Sequence, residues 1–138
     1  MRKSTKCAKF GCLILLAMTA LPISLLAQHG GKAEPLRVEF KSGTNSATLT
    51  GKVKDQEEAE YSFVAKKGQK LTVKLNSTPR QSSVFNLVAP ENADLGMEFD
   101  ANWSYSGVLP KTGEYLITIA RPTSDPGTSN YRLTITIR

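Results

Sequence analysis

The chain has 138 residues and carries 18 lysine and arginine residues against 12 acidic residues. Four of the cations lie between Arg2 and Lys9, and without them the balance is 14 against 12, which on charge alone excludes a nucleic-acid-binding surface. Both cysteines, Cys7 and Cys12, lie in the same segment, so the rest of the chain offers neither a disulfide, nor a thiol nucleophile, nor a zinc–cysteine site.

Residues 1–27 have the pattern of an export signal. A basic start is followed by a mostly apolar run from Leu13 to Leu26, and Ala27 is a small residue suited to cleavage before Gln28. A retained membrane anchor is the alternative, and Pro22 within the broken apolar run argues against it. We therefore expect export, cleavage near Ala27 and no membrane attachment afterwards.

The segment that follows is predicted to hold one domain. Residues 28–35 contain Gly30 and Gly31 and show no periodicity, which is typical of a flexible leader. Residues 36–138 are enough to bury a core without disulfides, so the domain should be stable as a monomer. Nothing in the sequence fixes its oligomeric state.

Apolar and polar residues alternate from Leu36 onward, the pattern of half-buried β-strands. Turn-forming clusters such as residues 42–46 and 66–68 separate the alternating runs. No segment has a helical period long enough to cover a sheet. The fold class predicted is all-β, an antiparallel β-sandwich of about eight strands. The strands begin near Leu36, Ala47, Tyr61, Leu71, Val84, Trp103, Tyr115 and Tyr131.

A turn from Leu109 to Thr112 leads directly into the strand that we expect at the centre of a sheet. Pro110 fixes a backbone angle suited to a turn, and Gly113 tolerates a positive φ. Tyr115 then shares a face with Ile117 and Ile119. Two interpretations stay open: a tyrosine corner, in which the phenol bonds to nearby backbone, or an exposed recognition loop on a rigid scaffold.

Two further clusters have alternative interpretations. The acidic residues Asp94, Glu98 and Asp100 could bind calcium, but they lack the spacing of a tight calcium loop and are more simply a solvated loop. Trp103, with Phe99 and Tyr105, could form a sugar-stacking platform or could cap the core.

Catalysis has little support in the sequence. The only histidine, His29, lies in the leader, and there is no nucleophile elbow, phosphate-binding loop or H-E-x-x-H motif. A serine–lysine pair stays open, although nothing marks a particular pair. We expect a protein that is not an enzyme and needs no cofactor or metal.

The chain resembles the bacterial periplasmic lysozyme inhibitors, most closely those of g-type lysozyme, with the inhibitors of i-type lysozyme as a second match. The resemblance covers residues 38–137 and is carried by the segments 38–40, 61–70 and 109–115. It implies a periplasmic protein that binds lysozyme, and an exported single-domain β-sandwich.

The resemblance also implies a site. In that family a Ser-Gly-x-Tyr loop enters the lysozyme cleft, and here Thr112, Gly113, Glu114 and Tyr115 occupy the motif, with threonine in place of serine. The candidate flanking loops are Pro90–Asn102 and Pro122–Asn130, and the sequence does not show which of them share the motif's end of the sandwich. The same strand and turn pattern resembles the broader pre-peptidase C-terminal domain class, so the alternative is a stand-alone module that binds carbohydrate or protein.

Overall fold

The computed structural model describes residues 34–97, 102–122 and 127–138. The expected signal segment, its cysteines, His29 and most of the leader lie outside these residues, as do Glu98, Phe99 and Asp100. No helix in the described ranges is long and apolar enough to cross a membrane. The strands are β1 (Leu36–Arg37), β2 (Ser46–Lys54), β3 (Glu58–Ala65), β4 (Lys70–Thr78), β5 (Val84–Val88), β6 (Ser104–Val108), β7 (Gly113–Ala120) and β8 (Thr128–Ile137), with a 3₁₀ turn at Pro90–Asn92.

These eight strands form two four-stranded sheets, which confirms the predicted β-sandwich. The first sheet has the order β1-β3-β7-β5, and the second has the order β2-β8-β4-β6. All pairs are antiparallel except β1 with β3, which run parallel. β7 lies between β3 and β5, so its prediction as a central strand is confirmed.

The first predicted strand is much shorter than its alternation indicated. Leu36, Val38 and Phe40 alternate, but only Leu36–Arg37 pairs with β3, followed by one bond from the Val38 amide to the Ser62 carbonyl. The chain then turns at residues 41–44 and enters the second sheet as β2. Val38 is buried as the alternation predicts, whereas Leu36 is 67% exposed, and a backbone ladder needs a neighbouring strand along its whole length.

The core lies between the inward faces of the two sheets. Tyr115, Ile117 and Ile119 of β7 are completely buried, as are Leu133 and Ile135 of β8. Burying a side chain of this size stabilises a fold by about 1.5–3 kcal/mol. The period-2 pattern therefore explains which faces of β7 and β8 point inward.

One hydrogen-bonded pair crosses the core between the sheets. The hydroxyls of Tyr61 on β3 and Tyr131 on β8 are 2.6 Å apart. Gly51 on β2 leaves room for the Tyr131 ring, because a Cβ there would overlap the Tyr131 hydroxyl oxygen. Burial, reinforced by the bond to Tyr61, raises the pKa of Tyr131 well above its ordinary value.

The strand directions divide the loops between two ends of the sandwich. β3 ends and β7 begins at one end, since Ala65 pairs with Gly113. The turn at residues 66–69, the turn at residues 109–112 and the 3₁₀ turn after β5 lie there, and we call this the motif end. The opposite end holds the residues that follow Ala120, because Ala120 pairs with Glu58 at the start of β3.

Candidate functional site

The turn at residues 109–112 is anchored to the neighbouring turn at residues 66–69. Leu109 is buried, its amide donates to the Gln69 carbonyl at 2.8 Å, and its carbonyl accepts from the Gly68 amide at 2.9 Å. Two adjacent turns therefore form one surface at the motif end, built on the ends of four strands.

Tyr115 holds this turn from inside the core. Its ring is completely buried and stacks on Phe63, with centroids 5.6 Å apart and an interplanar angle of 15°. Its hydroxyl donates to the Lys111 carbonyl at 2.6 Å. This is the bond that the tyrosine-corner interpretation predicts, so the phenol positions the turn and is not presented to solvent.

The start of β7 requires a glycine at position 113, because of both its backbone conformation and its packing. Its φ is 151°, a conformation that side chains rarely adopt, and a Cβ there would lie 2.8 Å from Cγ of Pro90. The contact places the 3₁₀ turn directly against the motif. Pro90, at the beginning of the candidate flanking loop 90–102, therefore lies beside the motif.

Thr112 is the motif residue whose hydroxyl faces outward. Its side chain is exposed, and its Oγ1 accepts a hydrogen bond from the Lys67 amide at 2.9 Å. A hydroxyl can accept and donate at the same time. The Thr112 hydroxyl is thus fixed in place by the neighbouring turn and keeps a proton that it can donate to an acceptor outside the chain.

Charged residues lie in the two turns that carry this hydroxyl and its partner. Lys66 and Lys67 are exposed in the turn at residues 66–69, and Lys111, next to Thr112, pairs with Glu91 at 3.0 Å. Glu114, the remaining motif residue, is also exposed. The sequence indicates a turn at Lys66 and Lys67, but their adjacency to Thr112 depends on strand pairing, which the local pattern does not encode.

The second candidate flanking loop is not beside the motif. Pro122 follows β7 and Thr128 begins β8, and both lie at the opposite end of the sandwich, since Thr128 pairs with Lys54 at the end of β2. Of the two candidate flanking loops, Pro122–Asn130 therefore does not begin or end beside the motif. The missing flank is supplied by the turn at residues 66–69.

The described part of the acidic segment forms a turn. The amide of Gly96 donates to Asp94 Oδ1 at 2.7 Å, and Glu98 and Asp100 lie outside the described residues. Within residues 34–97, 102–122 and 127–138, no three histidine, cysteine, aspartate or glutamate side chains are grouped so as to hold a metal ion.

Tyr105 and Trp103, the two described residues of the possible aromatic platform, lie in different environments. Tyr105 is half-buried on the inward face of β6 and donates to the Leu95 carbonyl at 3.3 Å. Burial raises its pKa, which keeps the phenol protonated as a donor. Trp103 is 37% exposed and lines a depression beside β4. The core-capping interpretation therefore suits Tyr105, and Trp103 remains available to a ligand.

Comparison with known proteins gives one consistent result. No protein-family model matches the chain. The inhibitor of g-type lysozyme from Escherichia coli (strain K12) is 30% identical over 109 residues, which cover 75% of this chain and 80% of that protein.

Solved structures agree with this relative. The crystal structure of a periplasmic inhibitor of g-type lysozyme from Aeromonas hydrophila matches with a TM-score of 0.65 and 28% identity, over 75% of this chain and 96% of the other. The corresponding inhibitor from Salmonella Typhimurium matches with a TM-score of 0.60 and 28% identity, over 75% and 97%.

Proposed function

Since this chain belongs to the family of the periplasmic inhibitors of g-type lysozyme, we propose that it is exported to the periplasm and inhibits a g-type lysozyme there. The observation that carries the proposal is the match to the Escherichia coli inhibitor over most of both chains. The relatives are named as inhibitors of an enzyme, which confirms the prediction that the chain is not itself an enzyme.

Thr112, Gly113, Glu114 and Tyr115 form the proposed inhibitory loop, with distinct roles. A lysozyme cleaves a glycosidic bond with the help of carboxyl groups in its cleft. The exposed Thr112 hydroxyl, held by the Lys67 amide, is the group that would donate to such a carboxylate. Tyr115 and Gly113 would not contact the lysozyme through their side chains; they fix the shape of the turn.

The charges at the motif end support the same target. Lys66, Lys67 and Lys111 outnumber Glu91 and Glu114 around the turn. A basic surface is attracted to a cleft that contains ionised carboxylates, which raises the association rate and disfavours partners of the wrong charge. These lysines would therefore approach the cleft together with Thr112.

The loop is also restrained before it binds. Bonds to Gln69, Gly68 and Lys67, together with the internal bond from Tyr115 to Lys111, fix its backbone in the free protein. Ordering a flexible loop on binding would reduce the affinity, and a turn already in its bound shape avoids that cost. An interface of ordinary size, about 1,600 Å² in total, would include the turn at 66–69 and the 3₁₀ turn.

A turbidity assay tests the proposal. The purified mature protein is mixed with g-type, i-type and c-type lysozymes acting on suspended cell walls. Inhibition of the g-type enzyme at about equimolar ratio supports the function. No inhibition of any type, together with glycan binding, would instead support the stand-alone pre-peptidase C-terminal module.

Two variants of Thr112 test the loop separately. Thr112→Val keeps the shape of the side chain but removes the hydroxyl, and the loss of one hydrogen bond to a charged group should weaken inhibition by about tenfold or more. Thr112→Ser is the matched control, since it keeps the hydroxyl and should preserve inhibition. Equal inhibition by Thr112→Val and Thr112→Ser would show that the Thr112 hydroxyl does not take part in inhibition, without contradicting the proposed inhibitor function.

A further inference from the structure

The two sheets carry opposite charges. The strands β2, β4, β6 and β8 of the second sheet contain no acidic residue. Their cations are Lys52, Lys54, Lys70, Lys74 and Arg132. In the first sheet the balance is reversed, with Arg37 as the cation of its four strands against Glu58, Glu60 and Glu114. Because the net charge of the domain is close to zero, this difference between the two sheets does not show in the overall charge.

All five cations of the second sheet point outward. Alternation places them opposite the buried residues, and the register aligns them with hydroxyl and amide side chains on neighbouring strands. Arg132 lies between Thr50 and Asn76, and Lys74 lies between Thr134 and Ser104. Hydroxyls pair across the strands elsewhere on this face, as in Ser46 with Thr136 at 3.0 Å. The result is a surface of hydrogen-bond donors and acceptors whose cations give it a positive field.

Three shallow depressions run continuously across this face. One of about 530 Å³ is lined by residues that include Lys52, Asn76 and Arg132. Another of about 280 Å³ includes Lys70, Lys74 and Arg138. The third, also about 280 Å³, shares Lys74 and Asn76 with the other two. No acidic side chain of the described residues lines any of the three.

The third depression ends at an aromatic side chain. Trp103 lines it together with Arg80, Gln81 and Ser104. The Trp103 backbone is fixed by its carbonyl, which accepts from the Leu75 amide at 2.8 Å. An exposed indole next to amide and cationic groups can pack against the apolar face of a sugar ring while the polar groups bond to its substituents.

We propose that the outward face of the second sheet, with Trp103, binds an acidic polysaccharide whose sugar rings carry carboxylates. The cations complement the carboxylates, the threonine and asparagine side chains match the sugar hydroxyls, and the indole stacks on one ring. A single-stranded nucleic acid fits less well, because such sites usually stack successive bases on several aromatic side chains. Trp103 is the exposed aromatic residue that the described surface offers.

The chain contains a single tryptophan, so its fluorescence reports directly on this site. Titration of the folded protein with oligogalacturonate should give a saturable change in the emission of Trp103, reversed by salt. Neutral dextran should give a much weaker change. A single-stranded DNA oligonucleotide is the comparison polyanion, and binding of the DNA as tight as that of the oligogalacturonate would overturn the proposal.

Two pairs of charge variants distinguish binding at this face from a non-specific attraction of the polyanion to the whole protein. Lys74→Gln with Arg132→Gln should weaken oligogalacturonate binding by about tenfold or more. Lys66→Gln with Lys67→Gln removes the same charge at the motif end and should leave that binding unchanged. Equal weakening by the two pairs would overturn the proposal, as would the absence of a saturable signal from the parent protein. Unchanged melting temperatures establish that the variants are folded.

Trp103→Ala tests the stacking contact, with calorimetry replacing fluorescence. It should weaken oligogalacturonate binding by at least fivefold, and retention of the parent affinity would remove the indole from the site. The same variants also distinguish the two sites of the protein. Inhibition of g-type lysozyme should persist in the Lys74/Arg132 variant, so the glycan proposal and the inhibitor proposal can fail independently.

Discussion

The hydroxyl of Tyr115 donates a 2.6 Å hydrogen bond to the carbonyl oxygen of Lys111, four residues earlier in the chain. The bond connects a completely buried ring to the exposed turn that carries Thr112. Packing in the core therefore determines the shape of the proposed inhibitory loop. Tyr115 is a positioning residue, and Thr112 is the residue whose polar group can meet a partner.

Tyr115→Phe should reduce stability more than it reduces binding. The phenyl ring keeps its stack on Phe63, but the hydrogen bond is lost and the Lys111 carbonyl must find another donor. We expect a loss of about 1 kcal/mol in the free energy of unfolding and a fall of roughly 4 °C in melting temperature. Urea unfolding and lysozyme inhibition, measured on the same preparation, check both parts.

Tyr105→Phe is the control for this prediction. Its hydroxyl bond to the Leu95 carbonyl is longer, at 3.3 Å, and its ring is only half-buried. Its removal should cost less stability than the change at Tyr115. If Tyr115→Phe left stability intact and abolished inhibition, the phenol would have to be a direct contact and the positioning role would be refuted.

Gly113→Ala should destabilise the domain for two separable reasons. An alanine would have to adopt the strained backbone conformation of Gly113, and its Cβ would lie 2.8 Å from Pro90 Cγ. Strain of this kind costs about 1–3 kcal/mol. Adding Pro90→Ala removes the Cγ contact and leaves the Cβ contact at 3.1 Å and the backbone strain, so the double variant should recover only part of the loss in a double-mutant cycle. Full recovery would show that the clash alone matters, and no initial loss would contradict the glycine requirement.

The strands other than β1 could be predicted from the sequence, because one face of each is more buried than the other; both residues of β1 are exposed. Alternation around Leu71 and around Leu133 repeats every second residue, and both strands lie where the pattern indicates. The inward direction of Tyr115 followed from its parity with Ile117. Local periodicity is sufficient for these conclusions, since it depends only on which side chains meet the core.

The pairing of strands could not be predicted in the same way. The parallel contact of β1 with β3 and the adjacency of Thr112 to Lys67 join residues that are far apart in the chain. The choice between the candidate flanking loops stayed open for the same reason: the sequence shows that the loop Pro122–Asn130 exists but not at which end of the sandwich it lies. The difference in charge between the two sheets could not be predicted either, because it depends on which strands pair into each sheet.

Raising the pH should destabilise the protein through Tyr131. In the unfolded chain its phenol ionises near pH 10, whereas in the folded protein its pKa is raised by burial and by the bond to Tyr61. Above about pH 10 the unfolded state therefore binds fewer protons, so the free energy of unfolding falls, by at most about 1.4 kcal/mol per pH unit. The stabilisation is complete below pH 10 and is lost as the pH rises toward the folded pKa.

Tyr131→Phe should remove this component of the pH dependence. The variant loses the bond to Tyr61 and is less stable at pH 7, but its deficit should narrow as the pH rises above 10. Tyr61→Phe is the matched control: it breaks the same bond and keeps the buried Tyr131 phenol, so most of the slope should remain. Parallel slopes for the parent protein and Tyr131→Phe in urea unfolding would contradict the assignment.

Export should remove both cysteines. We expect the protein purified from the periplasmic fraction to have the mass of a chain that begins near Gln28, and to show no reaction with a thiol reagent. Its melting temperature should be the same with and without a reductant, because no disulfide can form in it. A protein that retains Cys7 and Cys12 would contradict cleavage at this point and would favour the membrane-anchor interpretation.

Lys111→Met should weaken inhibition with little effect on stability. Lys111 and Glu91 form an ion pair at 3.0 Å, but their side chains are 49% and 77% exposed, and exposed pairs contribute at most about 1 kcal/mol to folding. The same exposure makes the ammonium group available to an acidic cleft. Loss of this charge should mainly slow association with lysozyme, and the effect should shrink at high ionic strength.

Glu91→Gln should strengthen inhibition, the opposite of the effect expected for Lys111→Met. It removes the same ion pair, so any role of the pair in stability would appear equally in both variants. However, it takes away a negative charge beside the loop and should therefore speed association with lysozyme severalfold at low ionic strength. Inhibition constants at low and high salt, with melting temperatures for both variants, separate the two effects. A parallel loss of inhibition in Lys111→Met and Glu91→Gln would show that the pair shapes the loop and that Lys111 does not act through its charge.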